Sequence, residues 1–252
     1  MIPAERHRSI LELLKGQEFI SINELKARLQ VSHMTIRRDI GKLEDEGCVL
    51  SVTGGVQLAE SLKNEQSHDD KDLQNKSEKE SISQQASLLI KDHKVIYLDA
   101  GTTTLEIAKK IGDNKDLTIL TNDFIIANYL ILNSTCSVYY TGGRVDRANK
   151  SSIGLKAAQT IREFNIGLAF ISTSFWNQHG ISTLVEDKVV VKKAICDVSS
   201  TCCLVSDSNK YGRVASSHAV DMERFNTITD NDLSQHALEA LNQKGIYVLF
   251  AK

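Results

Sequence analysis

Residues able to grip a nucleic acid crowd into one short stretch, where His33, Thr35, Arg37, Arg38 and Lys42 closely follow Ser32. An arginine guanidinium can hold a guanine edge through two hydrogen bonds, and each such pair discriminates against a wrong base by about 1–3 kcal/mol. A second set is dispersed over four loops: Asp99, Gly101, Thr102, Thr103 and Thr104; Thr121 and Asn122; Gly142, Gly143 and Arg144; Asp207 and Lys210. Glycine lets a backbone come close to a ligand, threonine hydroxyls donate, and a helix N-terminus behind such a loop attracts phosphate or carboxylate. With Lys192 as a further cation, these residues suit one anionic, hydroxyl-rich small molecule. Taken singly, each loop is equally an ordinary turn or cap. Neither G-x-G-x-x-G nor G-x-x-x-x-G-K-[ST] occurs, so dinucleotide and P-loop readings lack their fingerprints.

The elements that must position the first set are short helices. Ile10, Leu13 and Leu14 recur at helical spacing within Ala4 to Lys15, and Gly16 ends the run. Ser21-Ile22-Asn23-Glu24 is a capping box flanked by the hydrophobic staple of Ile20 and Leu25, so a second helix begins at Ile22. Ser32 is the N-cap type expected for a third, whose Ile36, Ile40 and Leu43 share one face until Gly47. Two alternating runs, Val49 to Thr53 and Val56 to Leu58, surround Gly54-Gly55 as a hairpin would. Three helices and a hairpin make a winged helix-turn-helix, in which the third helix enters the major groove.

The dispersed set is positioned by strands. Val95 to Leu98, Leu117 to Leu120, Ser137 to Tyr140, Leu168 to Ile171, Cys202 to Val205 and Tyr247 to Phe250 are short β-rich runs, several apolar at consecutive positions, as strands buried on both faces are. Helical patterns separate many of them. An α/β fold with an open, mostly parallel sheet is expected, with ligands beyond the carboxyl ends of the strands. The polar stretch from Glu60 to Asn75 divides the chain into a winged helix-turn-helix at 1–58, a linker at 59–76 with helical character towards its end, and an α/β domain at 77–252.

The 252 residues carry a net charge of -2, which excludes a wholly basic coat protein but not a local cationic surface. Residues 1–58 alone hold eight basic and eight acidic side chains. The longest apolar stretch, Phe124 to Leu132, is broken by Asn128, and no signal peptide precedes the first helix, so a cytoplasmic protein without a membrane partner is expected. Five cysteines without C-x-x-C spacing and seven scattered histidines argue for reduced thiols and against a metal centre. No cofactor is implied.

The runs Arg6 to Leu11 and Val31 to Ile40, with Leu43-Glu44 and Gly54-Gly55, resemble the helix-turn-helix signature of the DeoR/GlpR family of bacterial transcriptional regulators. The likeness continues through Asp99 to Thr103, Thr121-Asn122, Gly142-Gly143 and Asp207 to Gly212, nearly the whole chain. It implies an oligomeric repressor that releases its operator on binding a phosphorylated sugar, with a C-terminal domain resembling ribose-phosphate isomerases and CoA transferases. Two departures bear on this. Where the family commonly has an aspartate before a glycine after the fourth strand, this chain has Ser172-Thr173-Ser174; where a glutamate commonly stands four residues before a lysine, it has Lys188 before Lys192. Both remove acids that serve proton transfer in the related isomerases, and Lys188 favours an acid-sugar phosphate. The expectation is a non-enzymatic, homo-oligomeric repressor of a carbohydrate or acid-sugar operon. The alternatives are a sugar-phosphate isomerase or transferase with an appended winged helix, and a protein-binding winged helix.

Overall fold

The computed structural model describes residues 2–15, 20–52, 55–58, 67–111 and 114–251. The first unit contains α1 (Pro3–Leu14), β1 (Ile20–Ser21), α2 (Ile22–Leu29), α3 (His33–Asp45), β2 (Val49–Val52) and β3 (Gly55–Leu58). Ser21 Oγ accepts the Glu24 amide at 3.1 Å and Ser32 Oγ accepts that of Thr35 at 3.1 Å, so both expected caps start their helices. The hairpin pairs Val49 with Leu58 and Val52 with Gly55, and β1 adds a third antiparallel strand that periodicity did not reveal. Ile10, Leu14, Ile20, Leu25, Leu29, Ile36, Ile40, Leu43, Val49 and Val56 form its core. The turn expected at Gly54 lies outside the described residues, as does Gly16.

A buried ion pair fixes α1 against α3. Arg6 Nε and Nη2 reach the two carboxylate oxygens of Asp39 at 2.7 and 3.0 Å, and His7 Nε2 lies 3.3 Å from Oδ1. Burial pushes the Asp39 carboxyl up, but the Arg6 hydrogen bonds and charge, helped by His7, outweigh it and hold it below its ordinary value.

The second unit is a seven-stranded, wholly parallel sheet. In chain order its elements are α4 (His68–Leu73), α5 (Lys76–Ser87), β4 (Val95–Leu98), α6 (Thr102–Lys110), β5 (Thr118–Thr121), α7 (Phe124–Asn133), β6 (Ser137–Tyr140), β7 (Arg144–Asp146), β8 (Ser151–Ile153), α8 (Leu155–Ile161), β9 (Ile166–Ile171), β10 (Trp176–Asn177), β11 (Gly180–Thr183), α9 (Glu186–Val198), β12 (Ser199–Val205), β13 (Ser217–Asp221), β14 (Asn226–Thr229), α10 (Gln235–Gln243) and β15 (Val248–Phe250). The strand order is β15-β14-β12-β9-β4-β5-β6. Alternate strand residues enter two cores: Ile96, Leu98, Leu168 and Phe170 pack towards α5, α6 and α7, whereas Tyr97, Ala169, Ile171 and Leu204 pack towards α8, α9 and α10. Two small antiparallel additions, the β7–β8 arm and the β10-β11-β13 sheet, make the unit mostly rather than entirely parallel.

The chain reverses its direction of growth between β4 and β9, so loops 99–102 and 172–175 diverge there and open a cleft. The linker expected at 59–76 is corrected in its second half. Residues 67–76 belong to the α/β unit, because α4 is tied to it on both sides: the His68 amide donates to Ala148 O at 2.9 Å, and Asn75 Nδ2 donates to Asp207 Oδ1 at 2.9 Å. Such bonds give a polar segment a fixed seat without an apolar face. Among the described residues no helix is long and apolar enough to cross a membrane. Cys196, Cys202 and Cys203 are buried, and Cys48 and Cys136 half-buried.

The two units touch at the far end of α3. Gln178 Nε2 donates to Asp45 Oδ1 at 2.6 Å, His179 Nε2 lies 3.0 Å from Asp45 O, and His236 Nε2 lies 2.8 Å from Glu44 Oε2. Gly47 ends α3 at φ 70, and a Cβ there would stand 2.9 Å from Val214 Cγ2. Gly47→Ala is therefore expected to lose about 1–2 kcal/mol to left-handed strain and more to the Val214 contact. In urea denaturation of the whole chain, adding Val214→Ala should restore only the second part; identical losses in single and double variants would contradict the close packing of the two units.

Candidate functional site

On α3, the side chains of His33, Arg37, Arg38 and Lys42 are exposed, while Ile36, Asp39, Ile40 and Leu43 hold the helix down. Ser32 caps the helix and its hydroxyl lies 2.8 Å from that of Thr35, so both sit at the first turn of α3. Met34, 76% exposed beside them, is an apolar side chain of the kind that packs on a thymine methyl, and residue-type reasoning about hydrogen bonds passed over it.

The cleft at the strand ends encloses about 690 Å3, part of it open to solvent, and is lined by residues from α4, α6, α9, the β7–β8 arm and the loops after β4, β9 and β12. Its floor is one knot. Lys192 Nζ lies 2.5 Å from Asp99 Oδ2 and donates to Ser172 O at 2.6 Å, and the Ser172 amide donates back to Asp99 Oδ2 at 3.2 Å. A Cβ on Gly101 would stand 2.3 Å from Ser172 Oγ, so this glycine makes room for Ser172. The Gly101 amide donates to Asp123 Oδ2 at 3.2 Å. What α6 offers the cleft is its Thr102 end, with first-turn amides that no helical carbonyl reaches.

Of the residues expected to bind a ligand, Asp99, Gly101, Thr102, Asn122, Lys192 and Lys210 line the cleft. The others are placed elsewhere. Thr103 is buried beneath, Thr104 Oγ1 is shared between Asp99 O and Gly101 O, and Thr121 Oγ1 donates to Leu98 O at 2.7 Å. Asp207 stands behind Lys210, 2.8 Å from its ammonium. Gly142 and Gly143, at φ 62 and 113, turn the chain out of the edge strand β6, and Arg144 is an exposed partner of Asp187 at 2.5 Å. These three do not line the cleft: β6 lies at the sheet edge, away from the switch point, and its loop feeds the β7–β8 arm.

The arm returns Asn149, Ser151 and Ile153 to the cleft. Ser172, Thr173 and Ser174 line it too, and the strand-end rule applied to the fourth strand would have found them. Lys188, weighed above as a departure, also lines it, 3.1 Å from Asp146 Oδ2. His68 and Lys71 arrive on α4, and nothing in their spacing announced it. Four lysines and one carboxylate, Asp99, thus face the space among the described residues. The arrangement can bind an anion and lacks the free acid that proton abstraction requires.

Comparison with known proteins follows the same division. Residues 6–62 match the model of the DeoR-like helix-turn-helix domain, and residues 74–231 that of the DeoR C-terminal sensor domain. The chain belongs to the DeoR family of transcriptional regulators. It is 51% identical to an HTH-type transcriptional regulator of Haemophilus influenzae over 94% of this chain and 93% of that one. It is 32% identical to the glycerol-3-phosphate regulon repressor of Escherichia coli K12, over 85% of each chain. Ribose 5-phosphate isomerase A of Methanocaldococcus jannaschii aligns with 54% of this chain and 55% of that one at 14% identity, with a TM-score of 0.39. Members of the DeoR family are DNA-binding regulators rather than enzymes, in agreement with the cleft's chemistry.

This DeoR-family sensor domain carries one carboxyl at odds with its surroundings. Asp123 caps α7 through the amides of Ile125 and Ile126 at 2.7 and 3.0 Å and accepts the Gly101 amide as well. Burial pushes its pKa up to about 6 against those three bonds, with the Asp99 charge adding to the rise. The neutral form therefore stabilises the fold at acid pH, below the ordinary value of 3.8, and that stability is lost as pH rises through about 6. Asp123→Asn, which stays neutral, should gain on the wild type by roughly 3 kcal/mol between about pH 4 and pH 7, read by denaturant titration at each pH. A gap that stays constant would show that Asp123 does not titrate in this window.

Proposed function

We propose that this regulator is a cytoplasmic repressor of a carbohydrate or acid-sugar catabolic operon, binding its operator as a homo-oligomer and releasing it when a sugar or acid-sugar phosphate occupies the cleft. The observation that carries the reading is the cleft itself: four lysines against one carboxylate, hydroxyls from Thr102, Ser172, Thr173 and Ser174, and the first turn of α6, all at the switch point of the sheet. A phosphate needs cations and amides, and a polyol chain needs hydroxyls. The name of the Escherichia coli relative, a glycerol-3-phosphate regulon repressor, supports both the sign of regulation and the phosphorylated class.

Two copies would set their α3 helices about 34 Å apart on one face of the duplex. Ser182 and Thr183 line the cleft, and Gln178 and His179, a few residues earlier on the same β10–β11 hairpin, hold Asp45 at the end of α3. A ligand that favours one setting of this hairpin biases the reading helix, and tenfold release requires about 1.4 kcal/mol of preference.

The reading is tested at both ends. A thermal-shift screen of sugar and acid-sugar phosphates should find a ligand that, at a hundred times its Kd, adds about 2.7 kcal/mol of stability; a screen in which nothing phosphorylated binds contradicts it. Fluorescence anisotropy on DNA from the neighbouring promoters gives the other end. Arg37→Ala should lose about 1–3 kcal/mol of discrimination at particular base pairs, whereas Thr102→Val should bind operator normally and no longer release it on adding that ligand. Normal release by Thr102→Val would remove the α6 end from the effector site.

A further inference from the structure

One wall of the cleft holds more hydrogen-bonding capacity than the protein satisfies. The imidazole of His68 is buried, 5% exposed, and neither ring nitrogen has a hydrogen-bond partner among the described residues; Asp69 Oδ1 lies 3.8 Å from Nδ1. The hydroxyl of Ser151, 1% exposed, is likewise unpartnered. Both residues line the cleft. Unpaired buried polar atoms cost free energy, and two on one cleft wall mark a place where a ligand completes the bonding. Asn149, which lines the same cleft, is already committed, with Nδ2 donating to Asp146 at 3.1 Å and Oδ1 accepting Lys71 Nζ at 2.9 Å.

We infer that His68 and Ser151 form a subsite for the carboxylate of an acid-sugar phosphate, with the Lys71 ammonium beside it, while the phosphate takes the α6 end. The inference rests on the reading of the cleft as an effector site and extends it to a part of the chain outside the parallel sheet. Burial and the charge of Lys150 hold the His68 imidazole below its ordinary pKa, against Asp72 and Asp69. The ring is therefore neutral near pH 7, with one nitrogen to donate and one to accept. A carboxylate with its adjacent hydroxyl offers the complementary pair, an acceptor and a donor. Serine adds a second donor. The seat of α4 is rigid enough for this: Ser67 Oγ caps it by accepting the Asp70 amide at 3.2 Å, Lys150 pairs with Asp69, and the buried Lys79 ammonium donates to Lys71 O at its other end. Since α4 directly follows the segment that leads from the winged helix, a ligand held by His68 also fastens the point where the two units join.

The test uses the full chain and three probes in isothermal titration: 4-phosphoerythronate, 6-phosphogluconate and inorganic phosphate. His68→Ala and, as a variant that removes a single atom, Ser151→Ala should each weaken the tighter-binding aldonate phosphate, His68→Ala by about tenfold or more, and leave inorganic phosphate unchanged. Unchanged aldonate affinity in both variants overturns the subsite, as does an equal loss for inorganic phosphate, which would signal a distorted cleft. Phosphate binding without aldonate binding in the wild type overturns the subsite and leaves the effector reading standing. Failure of all three probes to bind overturns both.

Discussion

The sensor domain hangs on one carboxylate. Asp99 directly follows β4, and its Oδ2 receives both the Ser172 amide from the loop after β9 and the Lys192 ammonium from α9. The two loops that separate at the switch point are thereby sewn together one residue beyond it. Buried ion pairs of this sort add little net stability, because desolvation offsets their attraction, but removing one partner strands a charge at a cost of about 3–5 kcal/mol. What the pair fixes is geometry: Gly101 must lack a side chain because Ser172 is drawn against it, and the first turn of α6 consequently faces the cleft. The same bonding occupies the one acid that lines the space.

A comparable use of acids explains how a winged helix with no net charge presents a cationic surface. Asp39 is spent internally on Arg6 and His7. Glu44 accepts the Ser51 amide and hydroxyl, each at 2.9 Å, tying α3 to the hairpin, and also faces His236. Asp45 serves the contact with Gln178. The acids of α3 thus lie on its buried face or at its far end, whereas Arg37, Arg38 and Lys42 remain exposed. Counting charges over 1–58 cancels residues that are already paired inside the protein against residues that meet solvent.

Legibility from sequence followed the range of the interaction. Caps, staples and alternate-residue burial act over a few residues, so α2, α3, the β2–β3 hairpin and the buried strands could be placed from spacing alone. The two-residue strand β1 has no periodicity to read and exists only because β3 offers it an edge. For the cleft, the strand-end rule found Asp99, Thr102, Asn122 and Lys210, which sit where a parallel sheet puts them. It failed for Gly142, Gly143 and Arg144 because it treats all strand ends alike, and an edge strand is remote from the switch point. It was silent on His68, Lys71, Asn149 and Ser151, whose approach depends on a helix and an arm folding back over the sheet. Lys192 stood between these cases: its position on α9 is irregular by the strand-end rule, yet a buried aspartate at the end of β4 demands a cation.

Two elements outside the parallel sheet connect the cleft to the rest of the chain. A parallel sheet is a stiff platform, with side chains interlocked on both faces, and a ligand above it cannot communicate by bending it. The β10–β11 hairpin and α4 lie outside it. The hairpin has Ser182 and Thr183 in the cleft and Gln178 and His179 on the end of α3; α4 has His68 and Lys71 in the cleft and follows the segment leading from the winged helix. The segment with α4 is held mainly by polar contacts, whereas the hairpin is also anchored in the core by the buried Trp176 and Ile181. The physical division is therefore between a sheet core that supplies a fixed cleft and two elements outside the sheet that join the cleft to the rest of the chain.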